Sequence, residues 1–280
     1  MGSVDELMTW RAQMEAALRA EDGWLALAGL FWLREGANTF GSGAGEDLVL
    51  PEGTCAAHLG TFHRSGEDVQ VDFAEGAAAA VDGLAVEGRV ALRHDGGGPQ
   101  TPSMITSGSL GLHVLVRGPR VGIRLSDRDS AVRQGFTGRV WFDHDADAVV
   151  TARFEANPPG STIPITNVLG DTEPTPSPGR VHFTYGGQAC SLDAVASGDD
   201  LFFNFKDRTN GVSTYGASRF LIVARPPGDT VTLDFNRAVS PPCAFTVHAT
   251  CPLAPLQNHL PFAINAGERH DGDHHHASAD

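Results

Sequence analysis

The side chains best suited to acid–base or anion-binding chemistry lie in residues 202–269, where polar residues interrupt apolar, strand-like runs. The segment FFNFKDRTNGVSTYGASRFLIV places Lys206, Asp207 and Tyr215 between two such runs. A carboxylate or a phenol can exchange protons, and a basic side chain can hold a carboxylate or a phosphate. A buried charge is costly unless it is paired, so these groups should either line a cleft or satisfy one another.

The sequence predicts recognition of a small anionic or polar molecule in a cleft built from residues 202–269. If turnover occurs, the groups expected to transfer protons are Asp207, Tyr215, Asp234 and Glu268. The groups expected to bind the ligand are Lys206, Thr209, Arg219, Asn236, Arg237 and Asn258. Hydrolytic or acid–base chemistry is favoured over redox chemistry, because the chain has neither a dinucleotide-binding glycine fingerprint nor a phosphate loop. No cofactor is expected, and whether the protein is an enzyme stays open.

Lys206 is the only lysine among twenty basic residues, which favours a role for a compact ammonium that a guanidinium cannot fill. The alternative is a surface lysine with no specific role. A second alternative concerns the acids and arginines, which can form a closed network of Asp207 with Arg219 and Asp234 with Arg237. In that case the protein is a non-catalytic scaffold or a protein-interaction module.

Two of the four cysteines, Cys243 and Cys251, lie close together in the proline-rich stretch 234–258. Four interpretations stay open: a disulfide, a zinc site with His248, a catalytic thiol with His248 or His259 as its base, and two small buried apolar side chains. A reducing compartment disfavours the first, and the ligand spacing disfavours the second. We therefore expect reduced thiols and no bound metal, with Cys243 to His248 continuing as an alternating strand.

Several motifs in fixed order resemble one family. They are F-K-D-R-T, T-Y-G, R-F-L, L-D-F-N-R-A, P-P-C-A-F, C-P-L-A-P and A-G-E-R, together with the early G-W-L-A-L-A-G-L-F-W-L and G-A-N-T-F-G-S. The chain is similar in these motifs to the bacterial and archaeal family known as domain of unknown function 1684. The resemblance implies only that the following residues belong to the family's pattern: Asp207, Thr209, Tyr215, Arg219, Asp234, Asn236, Arg237, Cys243, Cys251, Asn258 and Glu268. It assigns none of them a catalytic role.

The elements that position these residues are expected to be mainly β-strands. Apolar residues at helical spacing over 4–20 predict one amphipathic helix within an N-terminal helical segment, 1–35. Period-two alternation with frequent turns predicts a β-sandwich-like domain over 36–125 and a second antiparallel β domain over 136–269. The proline-rich segment 173–179 is expected to be a surface loop. A His-rich tail, 270–280, is expected to be disordered.

Residues 36–125 also resemble, more loosely, a forkhead-associated domain. The resemblance rests on Asn38-Thr39-Phe40-Gly41-Ser42, Asp47-Leu48-Val49-Leu50-Pro51, His58 and Asp82-Gly83. Such domains bind phosphopeptides, but Ser42 stands where they carry a phosphate-contacting arginine. The resemblance therefore implies a shared β-sandwich without that activity.

Net charge and apolar run lengths exclude two classes of partner. The 280 residues carry a formal charge of −14, which opposes binding to nucleic acid or to anionic lipid. No apolar run approaches the roughly 20 residues that span a bilayer, and the acidic N-terminus does not have the pattern of a signal peptide. We expect a cytoplasmic protein with a small-molecule partner, and the oligomeric state stays open.

Overall fold

A single long helix, α1 (Val4–Arg19), begins the described part of the chain, as the helical spacing predicts. Asp5 and Glu6 in its first turn and Arg19 in its last turn complement the helix dipole. Its apolar side packs inward at Leu7 and Leu18, which are 3% and 2% exposed. In the parts of the chain that are described, no helix combines the length and apolar content needed to cross a membrane.

The computed structural model describes residues 4–96 and 101–270, and the chain divides into two compact units. We call Leu18–Phe136 the N-terminal unit, and Met1–Ala17 together with Thr137–Asp280 the C-terminal unit. Of the predicted tail, His270 is described and its backbone N–H donates to the Ser213 carbonyl at 3.0 Å. The rest of that tail, 271–280, lies outside the described residues.

Short strands build the N-terminal unit. In chain order they are β1 (Leu27–Trp32), β2 (Gly36–Gly41), β3 (Leu48–Val49), β4 (Gly60–Ser65), β5 (Asp68–Phe73), β6 (Ala80–Val81), β7 (Val90–Leu92), β8 (Ile105–Ser107), β9 (Leu110–Arg117) and β10 (Arg120–Asp127). They form two five-stranded sheets, in the orders β1-β10-β9-β8-β6 and β3-β2-β4-β5-β7. A short helix, α2 (Ala131–Gly135), follows, with the Ser130 side chain as its N-cap.

Alternation along the strands explains the core of the N-terminal unit. In β5, Val69 and Val71 are buried, whereas Asp68 and Gln70, which alternate with them, are exposed. This is the period of two expected for a strand with one core-facing side. Both sheets contribute to a single apolar cluster, with Phe62 from one and Ile123 from the other. Phe40 stacks on Phe62 with ring centroids 4.2 Å apart. Two mainly antiparallel sheets, in which only β2 and β3 pair in parallel among the described strands, surround one core in a sandwich-like arrangement.

The C-terminal unit is built around one antiparallel sheet of six strands. The strands of this unit are β11 (Val140–Trp141), β12 (Val149–Ala156), β13 (Thr162–Thr166), β14 (Thr172–Pro176), β15 (Gly179–Tyr185), β16 (Gln188–Ser197), β17 (Asp200–Phe205), β18 (Arg219–Ala224), β19 (Thr230–Asp234) and β20 (Glu268–Arg269). The large sheet has the order β18-β17-β16-β15-β12-β19. Its buried face includes Phe203, Phe205 and Leu221, which pack with Phe235 and Ile264 into one cluster. The fold is therefore mainly β, as predicted.

The expectation of a surface loop over 173–179 is wrong, because β14 pairs with β13 as a two-stranded ribbon. The register explains how the ribbon accommodates its prolines: Pro164 lies opposite Pro174, and Thr162 lies opposite Pro176. The backbone N–H of Ser177 donates to the Ser161 carbonyl, so these even-numbered positions of β13 fall between the hydrogen-bonded pairs. The backbone N–H that each of these prolines lacks would therefore have no partner in the ribbon.

The expected strand from Cys243 to His248 is also wrong. Pro242–Ala244 form a 3-10 turn, closed by the backbone N–H of Phe245, which donates to the Pro242 carbonyl at 2.9 Å. Thr246 donates to the same carbonyl at 3.2 Å. Proline at the first turn position favours this local closure over sheet pairing, so apolar alternation here does not produce a strand.

Candidate functional site

The most deeply buried charged pair of the predicted site joins Arg219, at the start of β18, to Asp207. Arg219 is 1% exposed and the Asp207 side chain is fully buried. Nη1 of Arg219 donates to the Asp207 carboxylate at 2.8 Å and to the Ile264 carbonyl at 3.0 Å, while Nη2 donates to the Ala266 carbonyl. Burial lowers the pKa of Arg219, and the Asp207 charge opposes that effect. The pair forms an internal clamp on the chain segment 264–266.

Asp207 also organises the loop that follows β17. Its Oδ1 accepts from the Thr209 backbone N–H at 2.7 Å and from the Thr209 hydroxyl, which lies 2.9 Å from the Thr214 hydroxyl. The Asn210 side chain accepts from the Asp207 backbone N–H at 2.7 Å. These bonds are the local turn pattern that Asp, Asn and Thr favour. Asp207 and Thr209 therefore use their polar atoms to hold the loop.

Glu268 forms a second buried ion pair, with an arginine that the sequence did not single out. Glu268 is 2% exposed and accepts from Arg139 and from the Ser240 backbone N–H, the latter at 2.7 Å. Burial raises the pKa of Glu268, and the Arg139 charge opposes the rise. Arg139 precedes Glu268 by 129 positions, and nothing in its neighbourhood, GRVWF, distinguishes it from a surface arginine.

The two predicted asparagines bind backbone groups. Asn258 donates to the carbonyls of Asp193 and Asn204 at 2.9 and 3.0 Å and accepts from the Asp193 N–H at 2.7 Å. Asn236 makes the same reciprocal bond with Asp145, at 2.8 and 2.9 Å. Each amide closes an irregular segment onto a neighbouring one, which satisfies buried peptide groups that no strand reaches.

Asp234 and Arg237 sit at the end of β19 and are partly exposed. Asp234 accepts from the Asn236 backbone N–H at 3.1 Å and so caps the turn Phe235–Arg237. Arg237 lies 3.4 Å from the Asp234 carboxylate, and its guanidinium lies 5.6 Å from the centre of the Trp10 ring. The Asp207–Arg219 and Asp234–Arg237 pairs are the ones that the closed-network alternative predicts.

Tyr215 lies against a small cluster of Cys243, Ala249 and Cys251, separate from the main core. Its hydroxyl donates to the Cys243 carbonyl at 2.9 Å, and burial raises its pKa. Both cysteines are free thiols. A hydrogen bond from the Cys251 thiol, helped by the Tyr215 hydroxyl, lowers the pKa of Cys243 to about 7 against the opposing effect of burial. Within residues 4–96 and 101–270, no three His, Cys, Asp or Glu side chains cluster as metal ligands.

Lys206 is half-buried, and the bonds that the structure shows for it are made by its backbone. The Lys206 backbone N–H donates to the Asn258 carbonyl at 3.1 Å, and its carbonyl accepts from the Leu260 N–H at 2.8 Å. Arg208 continues the same pairing through a bond to the Phe262 carbonyl at 2.9 Å. Lys206 and Arg208 alternate with the buried Asp207, and Lys206 pairs in parallel register with the exposed His259. We call Lys206, Arg208 and His259 the basic edge.

Neither cation of the basic edge has an ion-pair partner among the residues that the structure describes. Arg208 donates through Nε to the Pro261 carbonyl at 3.3 Å, and Nε2 of His259 lies 3.2 Å from the Ala254 carbonyl. The described hydrogen bonds do not join Lys206 to Arg219, whose two terminal nitrogens donate to Asp207, Ile264 and Ala266. Arg208 and His259 were not predicted as ligand residues, although the two-residue spacing of Lys206 and Arg208 is a signal for a shared face.

Comparison with known proteins gives the C-terminal unit a family. Residues 134–269 match the model of the family described as Protein of unknown function (DUF1684). The likeness to the family is shown for this segment, which is 136 of the 280 residues. The match contains every predicted site residue but neither early motif, so the likeness of those early motifs to the family stays a prediction. It also leaves out residues 36–125, where the resemblance to a forkhead-associated domain stays a prediction as well.

One solved structure that resembles the chain is the solution NMR structure of an uncharacterized protein of Haloarcula marismortui. It is 31% identical, and the match covers 51% of this chain and 81% of that one, with a TM-score of 0.43. None of the curated proteins compared with the chain matches it.

The predicted residues fall into two groups. Asp207, Thr209, Arg219, Asn236, Asn258 and Glu268 direct their polar atoms into the protein. Lys206, Tyr215, Asp234 and Arg237 keep some exposure to solvent. The first group shapes the segments that carry the second, so a ligand would reach Lys206 and its neighbours first.

Proposed function

We propose that the C-terminal unit recognises a small anionic molecule at the basic edge, through Lys206, Arg208 and His259. The observation that carries the proposal is that the backbone pairing places Lys206, Arg208 and His259 together on one edge, where Lys206 and Arg208 make no ion pair within the described residues, although the chain as a whole has a charge of −14. In such an acidic chain, cations left without carboxylates are suited to an external anion. Lysine supplies a point charge, and arginine supplies a fork that fits a carboxylate or phosphate.

The buried predicted residues serve this function by position. The Asp207–Arg219 clamp and the Asn258 amide both hold the short parallel pairing that carries the basic edge, because Asp207 lies between Lys206 and Arg208, and the Asn258 carbonyl accepts from Lys206. A fixed backbone keeps the two cations a set distance apart, which lowers the entropy cost of binding. Tyr215 and Asp234 are the predicted proton-transfer groups that keep access to solvent.

Isothermal titration with citrate and with inorganic phosphate tests the proposal. We expect binding that weakens as salt rises, because the contacts are exposed charges. Replacing both Lys206→Gln and Arg208→Gln should weaken binding at least about tenfold, which is the effect of losing about 1.4 kcal/mol. Arg225→Gln is the matched control, since Arg225 is an exposed arginine of the same unit without an ion pair among the described residues. Equal affinity in the double variant and the control would refute the proposal.

A non-catalytic scaffold or protein-interaction module is the second candidate. It is favoured by the closure of the buried network, in which Arg219, Glu268 and both asparagines are bonded to groups of the protein itself. The titration separates the two candidates: absence of binding by either anion to the unmodified protein, at low salt, would leave the scaffold as the supported function.

A further inference from the structure

We propose that Cys243 and Cys251 form a redox-active thiol pair, in which Cys243 attacks a small disulfide compound and Cys251 resolves the product. The geometry that carries the proposal is the contact between the two residues. The Cys243 backbone N–H donates to the Cys251 sulfur at 3.2 Å, and the Cys251 thiol hydrogen-bonds to the Cys243 sulfur. Because the Cys251 sulfur already contacts the Cys243 backbone, little chain movement is needed to bring the two sulfurs to bonding distance.

Tyr215 and Cys251 together prepare Cys243 for nucleophilic attack. Both place a donor beside Cys243: the Cys251 thiol reaches its sulfur, and the Tyr215 hydroxyl, which donates to the Cys243 carbonyl at 2.9 Å, is close enough to serve the thiolate as well. Donors of this kind favour the thiolate, which is the reactive form of cysteine. Cys190 is the internal contrast, because burial raises the pKa of its thiol to about 11.

The surroundings allow a small reagent to approach. Cys243 is 9% exposed and Cys251 is 5% exposed, and they belong to a cluster that has only one further buried residue, Ala249. The segment 239–258 contributes short 3-10 turns and no strand of the sheets described above. A small cluster under irregular chain opens locally at a lower free-energy cost than the main core.

The reaction is a thiol–disulfide exchange that conserves atoms and electrons. The Cys243 thiolate attacks one sulfur of a disulfide R–S–S–R, forming a mixed disulfide and releasing the first RS⁻. Cys251 loses its proton to solvent and attacks the Cys243 sulfur, which forms the intramolecular disulfide and releases the second RS⁻. The two protein thiols lose two electrons, and the reagent disulfide gains them.

The test uses the full chain with Cys55→Ser and Cys190→Ser, so that only the pair remains, and 5,5′-dithiobis(2-nitrobenzoate) as the disulfide. Trypsin cuts after Arg237 and Arg269, so both cysteines fall in one peptide. We expect two equivalents of released thiol, and a peptide that has lost two hydrogen atoms and carries no adduct. With Cys251→Ser added, we expect one equivalent and a stable adduct on Cys243.

A pH profile supplies a second readout that does not depend on resolution by Cys251. In the unmodified chain, the rate of alkylation of Cys243 by iodoacetamide should rise with a midpoint near 7, whereas Cys190 should stay slow until strongly alkaline pH. Tyr215→Phe should move the Cys243 midpoint upward, because one donor is lost. A lasting adduct on Cys243 when Cys251 is present, or equal midpoints for Cys243 and Cys190, would overturn the proposal. Alkylation of Cys243 at a rate no faster than global unfolding, measured in urea, would overturn the proposal too.

Discussion

Removing the Arg219 guanidinium should be among the most damaging single changes in the C-terminal unit. Arg219→Met keeps much of the apolar stem that packs near Phe205, so the change removes mainly the charge and its donors. It leaves the fully buried Asp207 carboxylate without a counter-charge, and the carbonyls of Ile264 and Ala266 without their donors.

The expected loss in the free energy of unfolding is about 3–5 kcal/mol, the usual cost of breaking a buried ion pair from one side. An unsatisfied buried carbonyl costs about 1–3 kcal/mol, but such costs are not additive within one network, so we do not add them. For a unit of this size, the melting temperature should fall by roughly 6–20 °C.

Urea unfolding, combined with hydrogen exchange of peptides from β17 and β18, measures the loss in the unit where it occurs. Arg153→Met is the matched control, because Arg153 pairs with Glu155 at 2.9 Å with both side chains more than half exposed. That exposed pair should contribute no more than about 1 kcal/mol. Asp207→Asn combined with Arg219→Met should cost less than the sum of the two single changes. Equal losses for Arg219→Met and Arg153→Met would refute the clamp.

Two further predictions concern the backbone that the clamp holds. Gly267→Ala should lower the free energy of unfolding by more than about 2 kcal/mol, because Gly267 has φ +84° and an added Cβ would lie 2.4 Å from the Ala238 carbonyl oxygen. Gly211→Ala is the control: Gly211 has φ +78° but open space around it, so the change should cost only about 1 kcal/mol in the same urea experiment. Asn258→Ala should cost about 2–3 kcal/mol of unfolding free energy, because three backbone groups lose a partner. The control is Gln257→Ala at the exposed neighbouring position, which should cost less than about 0.5 kcal/mol. Equal shifts in melting temperature for the two variants would contradict the bridging role of Asn258.

The strands of both units could be predicted from the sequence, because a half-buried strand has an apolar residue at every second position. Val69 and Val71 show this pattern, as does the helical spacing in α1. The β13–β14 ribbon was missed for a different reason. Proline disrupts a strand only where its missing backbone N–H would face the partner strand. The register of the two strands decides which positions those are, and three prolines near one another in the sequence do not reveal the register.

The pairing of the buried charges was only partly within reach of the sequence. Asp207 lies just after β17, and Arg219 begins β18 12 positions later, so their pairing follows from the short connection between these strands. Glu268 and Arg139 meet through the pairing of β11 with β20, which joins distant parts of the chain. Short strands of two residues carry almost no periodic signal, so neither the strand pair nor its ion pair could be read from composition.

The polar residues of 202–269 resemble a binding site in the sequence because sequence does not distinguish an external ligand from an internal carbonyl. Asn236 and Asn258 each bind a peptide group of another segment with the same donor and acceptor that would bind a polar ligand. Arg219 likewise donates to the carbonyls of Ile264 and Ala266, as it would to an anionic ligand. Segments 235–267 run with few ladder hydrogen bonds, so side chains must satisfy their peptide groups, and a dense polar pattern follows from irregular chain alone. A binding site differs from this support in grouping charges that have no ion-pair partner, and among the described residues Lys206 and Arg208 are two such charges on one edge.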